Sequence, residues 1–169
     1  MKKNTLMRIE LIITSVLIIA ICCIGIYYVT RDDRPNVIHI KFEDAEDKVV
    51  EFNSLMIAPG EEHEFILSMT SEIEDEFSFA MKFLETDGLI LKDYVYIRVV
   101  KDDKVICDKL LAELFKGDVV RFNGLLNKKA PCEISVFFYM DKSVGNEVEN
   151  TSSDFDLLIS ISNEEGFDE

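Results

Sequence analysis

Histidine is scarce in this chain: His39 and His63 are the only two. A catalytic zinc needs three protein ligands and an open position, and two histidines far apart do not supply them. His63 opens the stretch HEFIL, but Leu67 stands where an HExxH motif has its second histidine. The surrounding EEHE reads as a solvated strand start. No G-x-S-x-G elbow and no phosphate-cradling glycine loop occurs. The acidic clusters are EDAED at Glu43–Asp47, Asp102-Asp103, and Asp154 to Asp156. They lack the glycine and closing glutamate of an EF-hand, so they read as solvated loops or sheet rims, with only weak calcium binding open at EDAED. No catalytic residue, metal or cofactor is expected, and the chain does not read as an enzyme.

Positive charge is also short. Lysine and arginine number 18 against 33 aspartates and glutamates, for a net charge of −15. Such a surface repels phosphate backbones and anionic headgroups, which excludes nucleic acid as a partner. There is no internal repeat, no Ser/Gly or Pro-rich linker, no LPxTG-type sorting signal and no second apolar span.

One apolar span is present. Leu11 to Val29 carries no charge. As a helix it extends roughly 28 Å, close to the hydrocarbon thickness of a bilayer. Lys2, Lys3 and Arg8 precede it, whereas Arg31 and Arg34 are interleaved with Asp32 and Asp33. Positive charge is denser upstream, which places the N-terminus in the cytoplasm and the acidic remainder outside. A signal peptidase wants small residues near the end of the run, and Tyr27, Tyr28, Val29 and Thr30 stand there instead. Tyr27 and Tyr28 suit the outer membrane interface. Neither Cys22 nor Cys23 follows the small residue that a lipoprotein site requires. The expected organisation is a cytoplasmic N-terminus (1–10), a retained transmembrane or signal-anchor helix (11–30), a tether (31–36), an extracellular domain (37–163) and an acidic tail (164–169).

Beyond Pro35 the hydrophobic period becomes two. Ile38, Ile40 and Phe42 form the first alternating row, and Phe65, Leu67 and Met69 the next. Phe77, Phe79, Met81 and Phe83 follow, then Val95, Ile97 and Val99. Ile134, Val136, Phe138 and Met140 precede the last row, Phe155, Leu157, Ile159 and Ile161. Period two places each row on one face of a strand. Turn signals separate the rows at Pro59-Gly60, Asp87-Gly88, Gly117-Asp118, Asn123-Gly124 and Gly145-Asn146. The pattern predicts a mainly β chain folded as an antiparallel sandwich. Only Cys107 to Asp118 has helical spacing, through Leu110, Leu111, Leu114 and Phe115. It predicts a short helix or turn capped by Asp108 and ended by Gly117.

Cys107 and Cys132 are the cysteines outside the apolar run. In an oxidising compartment they are a possible disulfide, worth on the order of 3–4 kcal/mol in the loop-entropy model. Two small buried apolar residues fit the same positions.

Two stretches resemble a known family when taken together. SLMIAPGEEHEFILSMTSEIEDEFSFAMKF has a Pro-Gly turn between strands, and VFFYMDKSVGNEVENTSSDFDLLISIS has a GN turn before a closing strand with alternating Phe155, Leu157 and Ile159. Their order and spacing are similar to those of the TasA/camelysin family of exported bacterial surface and biofilm-matrix proteins. GIYYVTRDD sits where that family ends its signal, with Tyr27 in place of the cleavage-site alanine. The resemblance implies a jelly-roll or Ig-like sandwich at the cell surface. It also implies self-association or partnership with other surface or matrix proteins by strand addition. Asn36 to Phe42 is then the candidate donor strand. A retained anchor would leash that strand, making the chain a basal or accessory subunit of a matrix fibre. An extracellular ligand-binding or sensing module is the alternative. A camelysin-like metallopeptidase is a third reading, which the histidine count disfavours.

Overall fold

The computed structural model describes residues 36–43, 46–86, 90–145, 148 and 151–162. The apolar run, the tether up to Pro35, the Asp87-Gly88 turn, Asn146 of the Gly145-Asn146 turn and the acidic tail lie outside the described residues. Among the described residues no helix is long and apolar enough to cross a membrane.

The chain is mainly β and forms two sheets. Its strands are β1 (Asn36–Phe42), β2 (Lys48–Leu55), β3 (Glu62–Ser71), β4 (Asp75–Glu85), β5 (Val95–Lys101), β6 (Lys104–Leu110), β7 (Val119–Leu126), β8 (Cys132–Met140) and β9 (Ser153–Ser162). One sheet has the order β1-β3-β8-β5-β6, the other β2-β9-β4-β7. The alternating rows fill the space between them. Phe77, Phe79, Met81 and Phe83 of β4 are buried, as are the corresponding rows of β5, β8 and β9. Burying apolar area of this kind is the dominant favourable term in folding.

The aromatic core has two centres. Phe155 stacks on Phe52 at 5.1 Å, with Phe138 at 5.6 Å, Phe83 at 6.2 Å and Phe115 at 6.3 Å. Nearer β1, Phe79 stacks on Phe122 at 4.7 Å and meets Phe42 edge-on at 6.4 Å. Offset and edge-to-face pairs of this type add to simple burial.

Three sequence expectations need correction. First, the sandwich is not wholly antiparallel: β1 pairs with β3 in parallel, Ile38 opposite Leu67 and Ile40 opposite Met69. The intervening β2 lies in the other sheet, so the chain reverses twice before β3 and returns in the direction of β1. Second, Asn123-Gly124 is not a turn. Both residues sit inside β7, opposite Ser78 and Phe77. Third, only the second half of the expected helical stretch is helical. Asp108 belongs to β6, and α1 (Leu111–Leu114) follows Leu110, which gives no side-chain cap. Leu111 and Leu114 are both buried, so tertiary packing holds this single turn. Phe115, not Gly117, caps its end; Gly117 closes the turn that follows, its N–H bonded to the Leu114 carbonyl and its φ at +111°, a region that favours glycine. Pro59-Gly60 is also a turn, with Gly60 at φ +84°.

Ion pairs tie β1 to its surroundings. Glu72, after β3, accepts from Lys41 of β1 and from Lys128 after β7, each at 2.9 Å. Those bonds hold its carboxyl down at about 2. A depressed carboxylate stabilises the fold above its unfolded pKa, and that contribution is lost as pH falls through the folded value. Stability should therefore decline from about pH 4.5 towards 2 with a component that Glu72→Gln removes. Urea midpoints of both proteins across this range check it; parallel curves would rule out the assignment.

Candidate interaction surfaces

Four strands end the two sheets: β1 and β6 in one, β2 and β7 in the other. An edge strand presents unpaired backbone groups to any extended chain, and natural edges are commonly blunted by bulges or charges. β6 is blunted by a register shift against β5 between Val99 and Val100, and by exposed Lys104 and Lys109. β2 carries a shift between Phe52 and Leu55, where Ser54 adopts φ +58°. β1 and β7 pair without a shift. β1 nevertheless inserts side chains into the core, since Phe42 is fully buried and Ile40 nearly so.

The outer face of the five-stranded sheet carries the second feature. Strand register aligns Glu62, Tyr139, Tyr96 and Leu110 in one row across β3, β8, β5 and β6. The adjacent row is Glu64, Phe137, Arg98 and Asp108. Val100 pairs with Ser135 on one side and Val105 on the other, in the row after that. The side chains are locked together. The Arg98 guanidinium lies 5.1 Å from the Phe137 ring centre and 5.0 Å from that of Tyr139, and it ion-pairs with Glu62. Tyr96 and Tyr139 stack at 5.3 Å. The Tyr139 hydroxyl donates to Asp108 at 2.6 Å. Desolvation, then this bond to a carboxylate, pushes the phenol up to about 12, so it stays a donor at any ordinary pH. Beside it, Gly60, Glu61, Glu62 and residues Tyr139 to Lys142 line an open cleft of about 490 Å³. Sequence reading missed this cluster. Its signal was the aromatic residues at the outward positions of β8, Phe137 and Tyr139, where a solvated face would be polar.

The residues singled out from sequence do not converge. His39 is on β1 and His63 on β3; the His63 ring lies 3.4 Å from the Glu61 carboxylate. Among the described residues no group of three His, Cys, Asp or Glu side chains is placed to hold a metal. Asp102 and Asp103 form the tip of the β5–β6 hairpin, both with positive φ (49° and 61°). Such values at both central positions define the tight hairpin turn that matches strand twist. Asp154 accepts from the Ser54 N–H at 2.5 Å, which supports the bend in β2.

Cys107 and Cys132 are free thiols, so the possible disulfide is not formed. Cys107 pairs with Val99 of β5, which pairs in turn with Val136 of β8, four residues from Cys132. Two strand spacings and that offset separate the Cα atoms by about 16 Å, whereas a disulfide requires less than about 7 Å. Burial raises the pKa of both thiols. Cys132 instead fills space against Gly124 of the opposite sheet: a Cβ on Gly124 would lie 2.6 Å from the Cys132 sulfur.

No protein-family model matches the sequence, and no curated protein does. Several solved structures share β architecture with it. One is PliG of Aeromonas hydrophila, a periplasmic inhibitor of g-type lysozyme, at 11% identity and a TM-score of 0.39, covering 76% of this chain and all of that one. The CUB1-EGF-CUB2 domains of rat MASP-1 give 17% identity and a TM-score of 0.39, covering 75% of this chain and 43% of that one. The pre-peptidase C-terminal domain of a Bacillus anthracis collagenase gives 12% and 0.34, covering 79% and 99%. Likenesses this distant carry no functional argument.

Proposed function

We propose that this chain is a membrane-anchored extracellular structural or adhesive protein of the TasA/camelysin type, which joins other surface proteins by strand addition at the β1–β3 edge. The observation that carries this reading is the position of β1. It is the first described strand, it lies at a sheet end, among the described residues it pairs only with β3, and it seals that edge with Ile40 and Phe42. The same contacts form whether the strand comes from its own chain or a neighbour, which is the basis of strand exchange. The two-sheet architecture supports a jelly-roll-type sandwich. The uncharged run Leu11 to Val29 supports a retained anchor with the N-terminus inside. An anchored β1 has short reach, which suits a basal or accessory subunit of a matrix fibre rather than a travelling one. A ligand-sensing module is the second reading, favoured by the cleft beside Tyr139.

Sedimentation of the full chain in non-ionic detergent tests the proposal. Concentration-dependent oligomers are expected for the native sequence. A lock made by His39→Cys with Ser68→Cys, partners in the β1–β3 register, should leave monomers when oxidised and restore association when reduced. A native protein that stays monomeric at high concentration, or a locked one that assembles normally, would defeat it.

A further inference from the structure

The two outer sheet faces differ in kind. Among the described residues, the four-stranded sheet presents aliphatic and charged side chains, such as Val49 opposite Leu158, Lys82 opposite the same leucine, and Ala80 opposite Arg121. The five-stranded sheet presents Tyr96, Phe137 and Tyr139 around Arg98, with Val100 and Val105 alongside. Tyrosine and arginine are, with tryptophan, enriched at interface hot spots. Here they are fixed in advance, Arg98 by Glu62 and Tyr139 by Asp108. Their rotamer freedom is already lost in the free protein, which lowers the entropic cost of docking.

We propose that this face docks a cationic protein surface. Apolar or aromatic side chains of the partner seat separately against Tyr96 and against Val105, roughly 14 Å apart on either side of the Arg98–Asp108 row, and its lysines or arginines face Glu64 and Asp108. Charge selects this occupant. The chain carries −15, and Lys2, Lys3, Arg8 and Glu10 together supply +2 of that balance, leaving −17 on everything after the apolar run. A field of that sign steers basic partners inward and opposes anionic surfaces; a second copy docked on this face would set like charge against like with no backbone pairing to offset it. The proposal is independent of strand exchange at β1, because it uses a sheet face and leaves that edge unoccupied.

A matched pair of substitutions isolates the face from bulk charge. Val105 is 57% exposed on β6 and Val49 is 55% exposed on β2. Val105→Lys and Val49→Lys therefore change the same residue type, at equal exposure, by the same charge, on opposite sheets. Binding of the full chain in non-ionic detergent is read by fluorescence anisotropy at physiological salt. The probes are a labelled random Lys/Tyr copolymer, polylysine and a Glu/Tyr copolymer of equal length. The native chain should bind the Lys/Tyr copolymer about tenfold more tightly than polylysine, and the Glu/Tyr copolymer not at all. Val105→Lys and Tyr96→Ala should each weaken the Lys/Tyr complex roughly tenfold, with Val49→Lys leaving it within about twofold. Equal losses at Val105 and Val49 would reduce the effect to net charge and overturn the proposal. So would equal affinity for polylysine, preference for the acidic copolymer, or a native dimer in sedimentation that Val105→Lys dissolves.

Discussion

Phe155→Ala is expected to remove about 3–5 kcal/mol of stability. Phe155 is 1% exposed and sits where both sheets meet. It belongs to β9, in the middle of the four-stranded sheet, yet its ring contacts Phe138 of the opposite sheet and Phe115 after α1 as well as Phe52 and Phe83. Truncation forfeits the transfer free energy of the ring and leaves a cavity walled by four other rings, which stiff strands cannot collapse to fill. Leu158→Ala, on the outward side of the same strand, should cost far less, since Leu158 is not part of the buried core. Urea denaturation of both variants measures the contrast. Equal losses would mean that Phe155 is not a centre of the core.

Gly124→Ala is the second large effect, and it acts by overfilling. The added methyl would lie 2.6 Å from the Cys132 sulfur and 3.3 Å from the Phe79 ring. Both neighbours are buried, Phe79 completely. Overpacking of this kind costs about 1–3 kcal/mol. Cys132→Ala vacates the position that the methyl would claim, so the double variant should be more stable than the sum of the two single losses predicts. A coupling of about 1 kcal/mol or more in a double-mutant cycle is expected. Strict additivity would show that the two sheets do not meet at this point. The same geometry gives Cys132 a packing role, consistent with its free thiol.

Gly124 also explains why part of the fold was hidden in the sequence. β7 has the inward row Val120, Phe122 and Leu126, but its fourth inward position is a glycine preceded by asparagine. Locally that pair signals a turn; only the sulfur from the facing sheet makes it a strand. β2 was hidden for a related reason. Its buried residues Phe52 and Leu55 are three apart because the register shifts around Ser54, so no period of two is visible. Where alternation runs unbroken, as in β4, β8 and β9, sequence and structure agree residue by residue. The parallel setting of β1 could not be read, since direction is fixed by which sheet β2 joins. The outer-face cluster was only half legible. Phe137 and Tyr139 are visibly misplaced for solvent, but Arg98 and Asp108 reach them only through the β8–β5–β6 pairing. Whether Cys107 and Cys132 pair was open in the sequence for the same reason, since the strand that lies between them is long-range information.

The place of β9 sets a constraint on biogenesis. This last described strand lies between β2 and β4, and among the described residues it is the only partner of β2. A nascent chain that has emerged as far as β8 can pair β4 with β7 but leaves β2 without a hydrogen-bonded neighbour. Closure of that sheet must wait until β9 has been synthesised. Pairings between such distant segments are slow to form.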